Sequence, residues 1–90
     1  MNETSQHSDE SDASALQAIA RGRLDALETV FGRYQRQVYQ LALGITRNAE
    51  TAEEVLQDTF YRLYRQAGEL DGAQPLLPWL YRVAANLSYN

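Results

Sequence analysis

The chain has 90 residues, enough for one small domain, and its twelve acidic side chains against eight arginines leave a formal charge of −4. It has no cysteine, which excludes a disulfide framework and any cysteine-based metal site. The acids Glu3, Asp9, Glu10 and Asp12 account for the whole excess, and from Ala13 onward eight arginines balance eight acids. A neutral folded part excludes generic coating of nucleic-acid phosphates, though not a local basic or aromatic surface.

Residues 1–12 contain no aromatic residue and, apart from Met1, no hydrophobic one. Such a segment buries too little apolar surface to offset its ordering entropy, so residues 1–12 are expected to form a disordered acidic tail and residues 13–90 the folded domain. The start of the chain lacks the basic and apolar stretches of a signal peptide, and no apolar run reaches membrane-spanning length. A cytoplasmic protein without membrane association is expected.

Four helical patterns follow in chain order. The first covers residues 13–21, with Leu16, Ile19 and Ala20 on one side, a cap at Ser11, Asp12 or Ser14, and Gly22 as its stop. The second covers residues 24–47. Leu24, Leu27, Val30, Phe31, Tyr34, Val38, Leu41, Ala42 and Ile45 recur at spacings that place them in one stripe of about 120°. Arg33, Arg36 and Gln40 point away from that stripe, and Gly32 sits among them, marking either a close approach or nothing.

The third helix covers residues 48–67. Its start is either Asn48 or the capping-box pattern Thr51-x-x-Glu54, and Gly68 ends it. Ala52, Val55, Leu56, Thr59, Phe60 and Leu63 form its buried stripe. A loop over residues 68–77 carries Asp71, Gly72 and Pro75. Pro78 is expected to open the fourth helix, since its fixed φ suits the first helical position and disfavours helix at Leu77. There Trp79, Leu80, Val83, Ala84 and Leu87 form an apolar face, with Trp79 read as a core residue exposing at most one edge. The pattern still runs at Asn90, so the chain is expected to break off within an element. No strand-like alternation occurs, and the predicted fold class is all-α: a compact bundle of three main helices plus a short N-terminal one.

Catalytic chemistry has few candidates. The single histidine, His7, lies in the tail, and no nucleophile–base pair, zinc site or Gly-rich phosphate loop can be assembled. Glu50, Glu53, Glu54 and Asp58 start a helix, where acids favour the dipole, and read as a solvated first turn. No catalytic residue, metal or cofactor is expected. With Ala52 at zero on the wheel of the third helix, the buried stripe spans roughly −60° to +80°. Gln57, Tyr61, Glu54, Arg65 and Asp58 fall between about 140° and 240°, on the side opposite the core. Periodicity alone makes this an ordinary solvated face, although an aromatic such as Tyr61 at its centre is a common interface anchor. On the fourth helix Arg82, Asn86 and Tyr89 lie on or beside the exposed side, and such side chains contact phosphates, read base edges and stack on unpaired bases.

Three stretches resemble a known family in order and spacing. The run from Ala49 to Tyr64, with Glu53-Glu54-Val55-Leu56-Gln57-Asp58 at its centre, resembles the region-two helix of bacterial extracytoplasmic-function sigma factors. Ala26-Leu27-x-x-Val30-Phe31-x-x-Tyr34-x-x-x-Val38-Tyr39 resembles the helix before it, and Pro78-Trp79-Leu80-Tyr81-Arg82-Val83-Ala84-Ala85-Asn86 the promoter-facing helix after it. The resemblance implies a non-enzymatic transcription initiation domain that binds core RNA polymerase at the β′ clamp helices. It also implies recognition and melting of the minus-ten promoter element through its non-template strand. By position it assigns Glu54, Gln57 and Asp58, with Tyr61 on the same face, to polymerase. It assigns the loop carrying Asp71 and Gly72, together with Arg82, Asn86 and the adjacent Tyr89, to DNA. An anti-sigma factor is a further partner the resemblance allows. The chain departs from the family at Asn90, where Asp is usual, and in its Pro75-Leu-Leu-Pro78 lead-in. The rival reading is a sigma-like interaction module that binds polymerase or a regulator without recognising DNA.

Overall fold

Ser11 starts the first helix: its hydroxyl oxygen accepts the Ser14 N–H at 3.0 Å, satisfying one of the donors that a helix start leaves without an acceptor. The structure, a computed structural model, describes residues 11–90. Its helices are α1 (Asp12–Ala20), α2 (Leu24–Thr46), α3 (Ala49–Gln66) and α4 (Leu76–Tyr89), with a 3-10 turn at Ala67–Glu69. Among the described residues there is no strand, and no helix is long and apolar enough to cross a membrane.

The chain reverses tightly twice. Gly22 adopts φ 89 between α1 and α2, a conformation that glycine takes without steric cost. Arg47 ends α2 with φ 57 and ψ 30, and its N–H donates to the Leu43 carbonyl at 2.8 Å. That left-handed closure is usually a glycine's, and a non-glycine residue there costs roughly 1–2 kcal/mol. Asn48 then caps α3, its side-chain oxygen accepting the Thr51 N–H at 2.9 Å, so the earlier of the two predicted starts is the one used.

The core forms where α2, α3 and α4 pack on one another, with α1 laid across α2 and the 3-10 turn. All six residues of the predicted α3 stripe are buried. Thr59, the buried polar member, donates its hydroxyl to the Val55 carbonyl at 2.7 Å and so carries no unsatisfied group inside. Phe31 of α2 meets Phe60 of α3 edge-to-face at 5.0 Å between centroids. On α2 only Ala26, Val30, Val38 and Ala42 are fully buried. Leu24, predicted on the stripe, is instead 61% exposed at the first position of α2.

Three expectations need correction. The first helix begins at Asp12, with Ser11 as its cap, and not at Ala13; residues 1–10 of the expected tail, His7 included, lie outside the described residues. Arg33, expected to point away from the apolar stripe, is not left to solvent there: its guanidinium donates to Asp12 Oδ1 at 2.7 Å, while Tyr34 Oη donates to Asp12 Oδ2 at 2.6 Å. Both contacts are part-buried, because α1 covers this part of α2. Finally, α4 opens at Leu76 with Pro75 as its cap residue, and Pro78 is the third helical residue. The first helical N–H groups have no intrahelical acceptor, so proline there forfeits no hydrogen bond, and the earlier start buries Leu76.

The Asp12 clasp gives a pH signature. Burial first, then the hydrogen bond and charge of Asp12, push the Tyr34 phenol from 10.0 up to about 12. A raised folded pKa stabilises the fold below the ordinary tyrosine value and loses that contribution as pH rises towards 12. Urea titrations should therefore show stability falling between those values, and Tyr34→Phe should flatten the fall; an unchanged slope would remove Tyr34 as its source. At Gly32 a Cβ would meet nothing within 4 Å, so the glycine marks no close approach. Gly32→Ala should raise stability by about 0.4–1 kcal/mol, read as a higher urea midpoint at constant m-value.

Candidate functional site

With the α3 stripe buried, the opposite face is necessarily outside. Glu54, Gln57, Asp58 and Tyr61 are all exposed, Tyr61 at 58%. The helix is polarised along its length: Glu50, Glu53, Glu54 and Asp58 occupy its first part, Arg62 and Arg65 its last turns. This arrangement suits the helix dipole at both ends. Arg65 Nη1 donates to Tyr61 Oη at 3.1 Å, with the guanidinium 5.8 Å from the ring centroid, which fixes the tyrosine against the helix.

A groove of about 490 Å³ extends this face, lined by Asp58, Tyr61, Arg62, Arg65, Gln66, Glu69 and, from α4, Leu87. This groove is not legible in the helical periodicity. Arg65 was visible on the wheel, but Leu87 was assigned to the core and is only partly buried. It lies near the end of α4, where the helix packs on α3 by one flank and opens to the groove by the other. No sequence signal reports that one residue serves both.

The second site is built where the loop meets the start of α4. Asp71 organises the loop: its Oδ1 accepts the Ala73 N–H at 2.9 Å and its carbonyl accepts the Gln74 N–H at 3.0 Å. Leu16 of α1, Asp71 and Gln74 of the loop, and Trp79 and Arg82 of α4 line a pocket of about 340 Å³. Trp79, assigned to the core, therefore presents part of its ring as a pocket wall. Arg82 supplies the pocket's only cation, and Asp71 its only acid. Asn86 and Tyr89 are exposed, Tyr89 at 76%, but sit one and two turns further along α4, outside the pocket. Gly72 lies on the far side of the loop against Ala13 and lines a neighbouring hollow of about 300 Å³. The structure thus brings Asp71 and Arg82 together and separates them from Gly72, Asn86 and Tyr89. Among the described residues no group of three or more His, Asp or Glu side chains converges as a metal site would require.

The described residues thus form a helical domain with a graded polar face on one helix and a mixed polar–aromatic pocket on the next. Residues 30–90 match the sequence profile of sigma-70 region 2, and the chain belongs to that family. It is 30% identical over 81 residues to the RNA polymerase sigma-H factor of Pseudomonas aeruginosa, covering 90% of this chain and 42% of that protein. It is 34% identical over 76 residues to the ECF RNA polymerase sigma factor SigM of Mycobacterium tuberculosis, covering 84% of this chain and 39% of that protein. With the RNA polymerase sigma factor CarQ of Myxococcus xanthus it shares 35% identity over 71 residues, 79% of this chain and 41% of that protein. The chain spans about two fifths of the length of these relatives.

The neighbours Phe60 and Tyr61 test the assignment of faces. Phe60, 4% exposed, packs on Phe31, so Phe60→Ala should cost about 3–5 kcal/mol. Tyr61→Ala should stay within about 0.5 kcal/mol of the parent. Chemical denaturation of both variants checks this, and comparable losses would mean that Tyr61 is structural.

Proposed function

We propose that this chain is the polymerase-docking and minus-ten-recognising domain of an alternative sigma factor. On this reading the outward face of α3 (Glu54, Gln57, Asp58 and Tyr61) docks on the β′ clamp helices of core RNA polymerase. The loop–α4 pocket receives an unpaired base of the non-template strand, with Arg82 contributing the cation and Trp79 the stacking surface. Asn86 and Tyr89 continue the DNA-facing stripe beyond the pocket. The domain performs no covalent chemistry; polymerase does that.

The observation that carries this reading is the separation of the two sites on different helices of a family-matched fold. A protein partner can cover α3 without blocking the pocket at the head of α4. The charge pattern agrees with the division. An acidic stretch with an aromatic centre suits a basic protein surface and would repel a phosphate backbone. Asp71 contributes mainly by shaping the loop, since one of its carboxylate oxygens already accepts the Ala73 N–H.

One observation favours the rival, a module that binds polymerase or a regulator such as an anti-sigma factor without reading DNA: Arg82 is the sole cation of α4. The two readings part in one experiment on the chain assembled with core polymerase. Gln57→Ala with Asp58→Arg should abolish clamp-helix binding while the domain stays folded; a change under about threefold, roughly 0.7 kcal/mol, would remove this face as the docking site. Arg82→Ala with Asn86→Ala should leave polymerase binding intact and abolish capture of a single-stranded minus-ten oligonucleotide. Unchanged capture would overturn the DNA assignment and leave the rival standing.

A further inference from the structure

We propose that α1 is a positioning element for the pocket at the head of α4, acting through the contact of Ala13 with Gly72. The inference rests on the proposed base-receiving role of that pocket and adds a determinant outside it. Leu16 of α1 is already part of the pocket wall, facing the same space as Trp79 and Arg82. One turn earlier, Ala13 packs so tightly on the loop that a Cβ at residue 72 would lie 3.1 Å from the Ala13 Cβ and 3.4 Å from its Cα. Gly72 is not in a left-handed conformation, so the close approach, not the backbone angle, calls for glycine there.

The other end of this contact is anchored. Asp12, the residue before Ala13, is held by Arg33 and Tyr34 of α2, both part-buried. Gly72 follows Asp71, whose side chain and carbonyl fold the loop through Ala73 and Gln74. A continuous path therefore runs from α2 through Asp12 and Ala13 to Gly72 and on to Asp71 and Gln74 in the pocket wall. Moving α1 by a few tenths of an ångström moves that wall, because Ala13 is what a Cβ at residue 72 would meet. Gly72 is then a packing point that sets the loop's position, not a group that touches DNA.

The test is a compensating pair, assayed on the chain assembled with core polymerase and a single-stranded minus-ten oligonucleotide. Gly72→Ala should weaken oligonucleotide binding by roughly threefold or more, as small displacements do in sites that depend on position. Polymerase affinity should be unchanged. Adding Ala13→Gly removes the opposing methyl and should restore oligonucleotide binding. Failure of that rescue would mean that residue 72 acts by direct contact, and would overturn the proposal. No effect of Gly72→Ala beside a loss on Arg82→Ala would overturn it too, while leaving the pocket assignment in place. If Arg82→Ala also has no effect, the pocket assignment falls and the proposal with it. Should Gly72→Ala fail to fold, Asp12→Asn takes its place: weakened oligonucleotide binding at unchanged polymerase affinity supports the proposal, and unchanged binding of both overturns it.

Discussion

The buried stripe of α3 is the constraint on which the rest depends. Ala52, Val55, Leu56, Thr59, Phe60 and Leu63 are all taken up by packing, with Phe60 seated edge-on against Phe31 of α2. At 3.6 residues per turn that leaves one continuous outward face, and its composition is then free to serve a partner. Acids in the early turns and arginines in the last ones satisfy the helix dipole and also create a charge gradient along the exposed face. A complementary partner would carry the reverse gradient, which fixes its orientation as well as its identity. The same packing sets the separation of the sites, because α4 lies against both α2 and α3 and can present only its remaining flank.

The short α1 has a different dependence. Its nine residues are too few for independent stability, so it persists through what it covers. Ala15, Leu16 and Ile19 are buried, and Asp12 adds a carboxylate shared by a guanidinium and a phenol. Ion pairs of this kind contribute little when fully solvated. Here partial burial reduces screening, and two donors divide the two carboxylate oxygens, so that charge and hydrogen-bonding capacity are both satisfied. The clasp also fixes the rotational position of α1, which apolar contacts alone leave loosely determined.

Those two features explain what was legible in the sequence. The α3 stripe and its outward face follow from period, a local property, and cap chemistry narrows the start to Asn48 or Thr51, between which the structure decides for Asn48; all four polymerase-face candidates are exposed as the wheel requires. What escaped is non-local. Asp12 reads as the end of a polar tail until the partners twenty-one and twenty-two positions away are known. Arg33 reads only as a member of the polar side of α2 until α1 is laid over it. Pro78 reads as a helix start because proline suits the first position, yet at the third it also forfeits no hydrogen bond, and burial of Leu76 goes with the earlier start. Leu87 reads as core because it is apolar at core spacing, though it sits at a margin where one flank packs and the other lines a groove, while Trp79 shows the one exposed edge its reading allowed. Whether the loop brings Asp71, Gly72 and Arg82 to one place depends on its fold, and only Asp71 and Arg82 line the same pocket.

The energetics of the proposed division of labour then follow from charge. Residues 11–90 carry nine acids against eight arginines, so the domain draws almost nothing from phosphate neutralisation. Extruding a base costs a few kcal/mol, and stacking it on an aromatic ring returns about 1–3 kcal/mol. Trp79 with Arg82 can therefore roughly balance the extrusion of one base, but cannot also meet the entropic cost of association. A pocket of this kind recognises DNA only when something else has already brought the strand to it. On the proposed reading the graded face of α3 would supply that condition by docking the domain on polymerase, which would make base capture an intramolecular step at high effective concentration. Weak DNA affinity is then a requirement, because a domain that bound promoter strongly alone would occupy it without polymerase.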